Sequence, residues 1–513
     1  MRWSTCCVSL GLPNCTLVMK FRAKAQRRKE NRNRTSSCLP LRLCAFAGNT
    51  FLKICALVIL VCACTVAGQA DTRVSISMPT PGEIRVDADL SRPARSWSFR
   101  NAYAGVLGIA ERVADFRATA AAGQDAQVKK SATGEFRSEL DATKITYTVK
   151  LSEPRATDMP YVSWIADDRG LLMFADLVPQ DFESLSTEFT FPTGWTIESS
   201  LVADANGRYA VSEPQKAVFF AGRALRKISS TAEGLDVVLT GKWPFKEAEA
   251  LKVASTVFQK YLDLTGFKLP AKAAVMIAPL PVSDGKTEWK AETRGSTVVL
   301  LGNPKTFDFW RNRLTIILSH EMLHLWVPNA LKLEGDYDWF FEGFTLYTAV
   351  RTVNDLRVID FKELLNTLGR VYDVYISHPD DISLIESSET RWTNPFSQVY
   401  IKGMLVAFLY DLKIRKESGG KQTLADRYRE LFSGRVAANA NGNEAIIALL
   451  DSAPAMSGFA NLYVEKKTKL ELRQALATYG LTLDTSGKKS QLRVSRDLSP
   501  EQKQLLSSLG YRN

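Results

Sequence analysis

Cysteine is missing from most of this chain. All eight cysteines (Cys6, Cys7, Cys15, Cys38, Cys44, Cys55, Cys62 and Cys64) precede residue 65 of 513. The remainder therefore has no disulfide framework, no cysteine metal site and no thiol nucleophile. Histidine is nearly as scarce, with three residues in all. An excess of one charge is also missing once the count is made by segment. The net charge is +11, yet residues 1–70 carry 11 Lys/Arg against the single acid Glu30, and the rest carries 55 basic and 54 acidic side chains. The basicity belongs to the leader, and the body has no global electrostatic basis for binding nucleic acid.

Long apolar runs are absent as well. Residues 54–67 (ICALVILVCACTVA) form a run of 14, short of the ~20 that a spanning helix needs. Behind Lys53 and the basic stretch 20–34, this run predicts a secretory signal. Gly68-Gln69-Ala70 before Asp71, or Thr65-Val66-Ala67, supplies the small-x-small cleavage site. The competing reading is an uncleaved membrane anchor, and the leader would then be the only membrane contact. Either way the body is expected outside the cytoplasm, periplasmic or extracellular, where lack of cysteine avoids unwanted disulfides.

What is present divides the body in two. Residues 71–243 read as an all-β, sandwich-like domain. Its β-rich runs are Ile145–Leu151, Leu171–Val178, Thr187–Phe191 and Leu235–Leu239, broken by turns such as Pro192-Thr193-Gly194. One helix-like stretch, Ala104–Ala120, interrupts them. After Lys242-Trp243-Pro244 the pattern changes. Lys246–Leu264 reads as an amphipathic helix, Ala273–Ala278 and Thr297–Leu301 as strands, and helices then dominate to about residue 480. This predicts an α+β, mainly helical second domain over 244–483. Residues 484–513 form a polar tail with a short helix starting at Ser499-Pro500-Glu501.

Two of the three histidines fall in His320-Glu321-Met322-Leu323-His324. Positions i and i+4 of a helix lie about 400° apart, so both imidazoles project from nearly one face and can share a Zn²⁺. Arg311–Trp326 lacks Gly and Pro, and Val327-Pro328-Asn329 ends it, which predicts the helix this spacing needs. Glu321 can then take a proton from water beside the metal. A catalytic zinc site needs a third protein ligand and an open position. No histidine is near, so a carboxylate is expected. Glu342, opening a second predicted helix in Trp339-Phe340-Phe341-Glu342-Gly343-Phe344, is preferred because a helix fixes ligand geometry better than a turn. Glu334, Asp336 and Asp338, in a Gly-containing turn, are competitors. His378, in Ser377-His378-Pro379-Asp380, reads as a surface loop residue.

These motifs resemble those of the gluzincin metallopeptidases, and more closely the glycyl aminopeptidase family. His324-Leu325-Trp326 matches that family's HLW, Glu342-Gly343-Phe344-Thr345 its EGFT, and Tyr400-Ile401-Lys402-Gly403 its YxKG. Glu292-Thr293-Arg294-Gly295-Ser296-Thr297 resembles the segment reading EHRNST. The resemblance implies a thermolysin-like catalytic domain over 244–483 and one Zn²⁺ per chain, held by His320, His324 and Glu342. It implies Tyr400 as hydrogen-bond donor to the oxyanion of the tetrahedral intermediate and Glu292 as the group binding a peptide's free amine. Phe459–Leu483 resembles the family's closing helices. The chain departs from the family where it lacks the glycine run before Glu292, where Thr293 replaces a histidine, and where residues after Leu483 are too few for a PDZ domain. Glu288 is an alternative amine ligand.

The expected function is that of an exported zinc metallopeptidase acting on peptides, an aminopeptidase by resemblance. The alternatives are a zinc endopeptidase or oligopeptidase, and an inert cell-envelope binding protein. Glu321→Gln is expected to keep zinc and lower turnover by about 10²-fold or more. His324→Ala is expected to lose the metal. Elemental analysis beside peptide hydrolysis separates the two effects.

Overall fold

The computed structural model describes residues 72–512 apart from short segments at 152–153, 156–157, 231–233, 283–288, 306–309, 379–381, 395–396, 435 and 488. The leader, its apolar run and Glu288 lie outside the described residues. Among the described residues no single helix is long and apolar enough to cross a membrane.

The first half is built from strands whose side chains alternate between buried and exposed, as in β1, where Val74, Ile76 and Met78 point inward. These strands are β1 (Thr72–Thr80), β2 (Glu83–Ser98), β3 (Ala102–Tyr103), β4 (Val106–Leu107), β5 (Val113–Ala120), β6 (Val128–Ala132), β7 (Glu135–Lys150), β8 (Trp164–Ala166), β9 (Arg169–Met173), β10 (Leu185–Thr190), β11 (Thr196–Ser199), β12 (Tyr209–Val211) and β13 (Val218–Gly222). One sheet runs β12-β10-β1-β2-β7-β5, with β6 on β7, and a second runs β11-β13-β9-β8. Val74, Ile76 and Tyr147 of the first share a core with Leu172 and Phe219 of the second. That is the expected sandwich.

The helix-like reading of Ala104–Ala120 is corrected. Gly105 (φ 80°) and Gly108 (φ 77°) take left-handed conformations that stop a helix. The segment instead forms the β3–β4 hairpin, a 3₁₀ turn at Ile109–Arg112 and strand β5. Part of the run Leu171–Val178 is also not strand. Phe174–Leu177 is a single helical turn, all four residues buried.

A third sheet follows, ordered β14-β15-β16-β18-β17, from β14 (Arg226–Ser230), β15 (Leu235–Leu239), β16 (Ala273–Pro279), β17 (Trp289–Arg294) and β18 (Thr297–Gly302). Strands β15, β16 and β18 pair in parallel, and β17 is an antiparallel edge. Leu235–Leu239 therefore pairs forward with β16 rather than into the sandwich. The four-stranded sheet packs its outer face (Leu171, Met173, Val218, Phe220) on Val238, Ala274, Met276 and Val299 of this third sheet. The sheet's other face (Val237, Val275, Ile277, Leu300) joins the helical core. The layers thus run sheet, sheet, sheet, helices.

The helices are α1 (Glu247–Thr265), α2 (Trp310–Glu321), α3 (Thr345–Asp355), α4 (Phe361–Ile376), α5 (Leu384–Glu389), α6 (Ile401–Glu417), α7 (Leu424–Leu431), α8 (Gly442–Leu450), α9 (Leu472–Ala477) and α10 (Pro500–Ser508). Local signals set their ends. Helix α1 stops at Gly266 (φ 65°). Asp360 caps α4 by accepting from Glu363 N at 2.7 Å. In the region expected to carry closing helices, Phe459–Leu483, there is one π-helical turn at Asn461–Glu465 and the six-residue α9. The polar tail is folded in. β19 (Leu481–Asp484) pairs with β20 (Gln491–Val494), and α10 buries Leu505 and Leu506 in the main core.

One contact joins the two elements that follow the sequence motifs. A π-helical turn at Trp339–Phe344 leads into α3 and lies against the start of α6. A Cβ on Gly343 would lie 2.5 Å from Gly403 Cα and 2.5 Å from Val399 O; one on Gly403 would lie 2.8 Å from Trp339 O. Only two glycines permit this backbone approach. Gly343→Ala is expected to cost about 1–3 kcal/mol by overpacking, read as a lowered denaturation midpoint, with activity falling further than stability accounts for because Glu342 moves.

Candidate active site

Helix α2 delivers His320 and Glu321 in its last turn. The α-helix ends there, two residues into the motif, which corrects the helix expected to run to Trp326. The chain tightens into a 3₁₀ turn at Leu323–Leu325, with Leu325 N bonding Met322 O and Trp326 N bonding Leu323 O. His324 sits on this turn and still meets His320, with their Nε2 atoms 2.8 Å apart. His324 Nδ1 lies 2.9 Å from Val327 O, and an N–H donated there leaves Nε2 as the free lone pair. Glu342 comes from the π-helical turn, a distortion common at functional sites. Its Oε2 is 3.6 Å from His320 Nε2 and 3.5 Å from His324 Nε2.

Among the described residues these three form the group of donors able to hold one metal ion, with all ligand atoms within 4.8 Å. Tetrahedral zinc with bonds of about 2.0–2.2 Å separates ligand atoms by about 3.3–3.5 Å. The three edges, 2.8, 3.5 and 3.6 Å, bracket that value. The electrostatics agree. Burial and the neighbouring His324 push His320 down to about 3 against the pull of Glu342. Burial also opposes charge on His324, but the carboxylate of Glu342 outweighs it and raises the group to about 9. Burial likewise works against ionised Glu342, yet Arg391 and His324 hold it well below the carboxylate range. The pocket is built around positive charge between two imidazoles and an anion.

Glu321 is buried, and burial pushes its carboxyl up to about 8 against His324. Thr293 Oγ1 lies 2.8 Å from both Glu321 Oε2 and Glu321 O. Thr293 thus holds the Glu321 carboxylate in place. Glu292, which directly precedes Thr293 on the edge strand β17, lines the same cleft of about 370 Å³ as Glu321, His324, Glu342 and Tyr400. Tyr103 of the β3–β4 hairpin donates its hydroxyl to Glu292 Oε1 at 2.6 Å. Burial raises the Glu292 carboxyl, with Arg294 opposing. Tyr103, Ala104 and Tyr161 bring the β-sandwich into this cleft.

The competing acids separate cleanly. Asp338 pairs with Arg391, Asp336 lines the cleft, and Glu334, whose backbone forms a β-bridge with Asn441, is not among the cleft-lining residues. His378 lies apart from the cluster, with Nδ1 2.7 Å from Val374 O. Sequence reasoning missed Arg391 and Tyr103. Arg391 Nη2 donates to Glu342 Oε1 at 2.8 Å and to Tyr400 Oη, while Nη1 pairs with Asp338. A larger groove of about 970 Å³, bordered by Asp355, Lys362 and Arg493, holds none of these groups. Convergent donors, not volume, mark the site.

No family profile and no curated protein sequence matches the chain. Among solved structures it is similar to an aminopeptidase N family protein from Idiomarina loihiensis, at 17% identity and TM-score 0.70, over 84% of this chain and 82% of that one. It is also similar to an M1 zinc metallopeptidase from Deinococcus radiodurans, at 14% identity and TM-score 0.50, over 79% of this chain and 95% of that one. A mutant of the latter, solved with a Tyr-ser-ala substrate, matches equally, at 14% identity and TM-score 0.50. The fold is therefore that of M1 metallopeptidases: a β-sheet region followed by a mainly helical one. The donor set and the fold together point to one Zn²⁺. Zinc at 100 times its dissociation constant is expected to stabilise the protein by about 2.7 kcal/mol. The rise in melting temperature should vanish in His320→Ala and on chelation.

Proposed function

We propose that this protein is a zinc metallopeptidase that removes residues from the amino end of peptides. The observation carrying this reading is that His324 and Glu342, grouped with His320 as metal donors, line one cleft with the acid Glu321, the phenol Tyr400 and the acid Glu292. Two-histidine, one-glutamate ligation leaves a position open for substrate. Zinc held there supplies Lewis acidity to the scissile carbonyl and to water.

The chain's own groups do the rest. Glu321, held by Thr293, takes a proton from the attacking water and returns it to the departing amine nitrogen. Tyr400 donates to the oxyanion of the tetrahedral intermediate, an interaction whose removal costs about 10²–10³ in rate. Glu292 accepts the substrate ammonium. Support for an end-group requirement is that the Tyr103 hydroxyl already stands against Glu292 from the sandwich side. A catalytic domain of the thermolysin type over 244–483, and export directed by the leader, complete the proposal.

Peptides with a free amine are expected to be cleaved and their amine-blocked forms left intact. Glu292→Ala should raise KM about tenfold or more, as when one partner of a buried charge pair is lost. Cleavage of blocked peptides would instead make the enzyme an endopeptidase. Stoichiometric zinc without cleavage of any peptide would favour the binding-protein reading.

A further inference from the structure

Arg391 belongs to no motif of the sequence, and no ligand or acid–base role falls to it. It sits in the irregular segment between α5 and α6, with a side chain only 9% exposed. Rings enclose the guanidinium. Its centre is 4.4 Å from the Trp392 ring, 5.1 Å from that of Tyr400 and 5.9 Å from that of Phe341. Trp392 is itself 62% exposed, so an aromatic plate screens the cation from water at the cleft rim. Asp338 anchors Nη1. Nη2 is shared between Glu342 Oε1 and Tyr400 Oη.

We propose that Arg391 is a positioning residue that sets the metal-binding mode of Glu342 and the hydrogen-bond direction of Tyr400 through one nitrogen. The inference rests on the metallopeptidase reading. Two consequences follow from donor and acceptor chemistry. Arginine only donates. Because Nη2 engages Oε1 of Glu342, Oε2 remains for the metal and the carboxylate binds through one oxygen. That oxygen is the one 3.5–3.6 Å from both imidazole nitrogens. Because Nη2 also donates to the phenol oxygen, the phenol's own hydrogen is turned away from the guanidinium, and Tyr400 lines the cleft in which an oxyanion would accept it. One planar fork thus couples the third ligand to the oxyanion donor, and Asp338 fixes the fork's orientation. Lysine, a single charged point without a fork, cannot hold Asp338, Glu342 and Tyr400 at once.

The test uses the full-length protein with Arg391→Met, Arg391→Lys and Arg391→Ala. Zinc affinity is measured by chelator competition, and kcat and KM at saturating zinc. Arg391→Met is expected to weaken zinc binding about 10–100-fold, the usual effect of losing a group that orients a ligand, and to lower kcat more than tenfold with KM within about threefold. Arg391→Lys should recover zinc affinity in part and kcat little. Guanidinium ion in solution should restore part of the activity of Arg391→Ala. A double cycle with Tyr400→Phe isolates the coupling. If Arg391 acts through Tyr400, the double variant has the kcat of Tyr400→Phe alone, and multiplied losses overturn that half of the proposal. Wild-type zinc affinity and kcat in Arg391→Met overturn the whole of it. Should Arg391→Met fail to fold, Asp338→Asn, which frees the fork's anchor, is expected to show the same kcat loss in weaker form, and an unchanged kcat there counts against the proposal. Wild-type protein that binds zinc but cleaves no peptide would overturn the metallopeptidase reading instead, and the zinc-affinity comparison would still judge Arg391.

Discussion

The arrangement of the site depends on two backbones touching where neither residue has a side chain. Gly343 follows Glu342, and Gly403 lies one helical turn after Tyr400. Their contact sets how far the third metal ligand stands from the phenol. It also explains why each motif carries its glycine after the chemically active residue: neither glycine does chemistry, and both keep the distance short. Glu342 itself sits on a π-helical turn, Trp339–Phe344, that leads directly into α3.

Around that contact the site is an enclosed group of charges. Four buried or half-buried carboxylates (Glu292, Glu321, Asp338 and Glu342) line a cleft with Arg391, His324 and three tyrosines (Tyr103, Tyr161 and Tyr400), and His320 stands against His324. Anions packed this closely out of water repel one another, and burial disfavours each. Arg391 offsets two of them and protonated imidazole a third. A divalent cation in place of that proton would offset the set more fully, so the pocket's own electrostatics favour metal.

Much of this was legible from residues that act locally. The two histidines and Glu321 lie within five positions, so helical periodicity suffices to bring them together. Glu342 could be preferred because a regular element follows it. The sandwich and the helical half were readable from alternation and from amphipathic spacing. What escaped depends on distance along the chain or on backbone geometry that periodicity does not encode. Tyr103 reaches Glu292 across 189 positions and Arg391 reaches Glu342 across 49. Ala104–Ala120 has a helix-like composition, but two left-handed glycines and strand pairing prevail over it. The end of α2 at Glu321 was hidden because 3₁₀ and α turns have the same composition.

The four-stranded sheet is covered by apolar side chains on both faces, with Phe219 facing one layer and Phe220 the other. A hinge between the sandwich and the helical half would have to open that second dry face, and dense apolar packing resists such shear. The sandwich half and the helical half are therefore held together through a dry sheet-on-sheet contact. Arg391, Trp392 and Tyr400 line the same cleft. Rearrangement at the cleft would thus fall to single side chains such as the exposed Trp392 rather than to the sheets swinging apart.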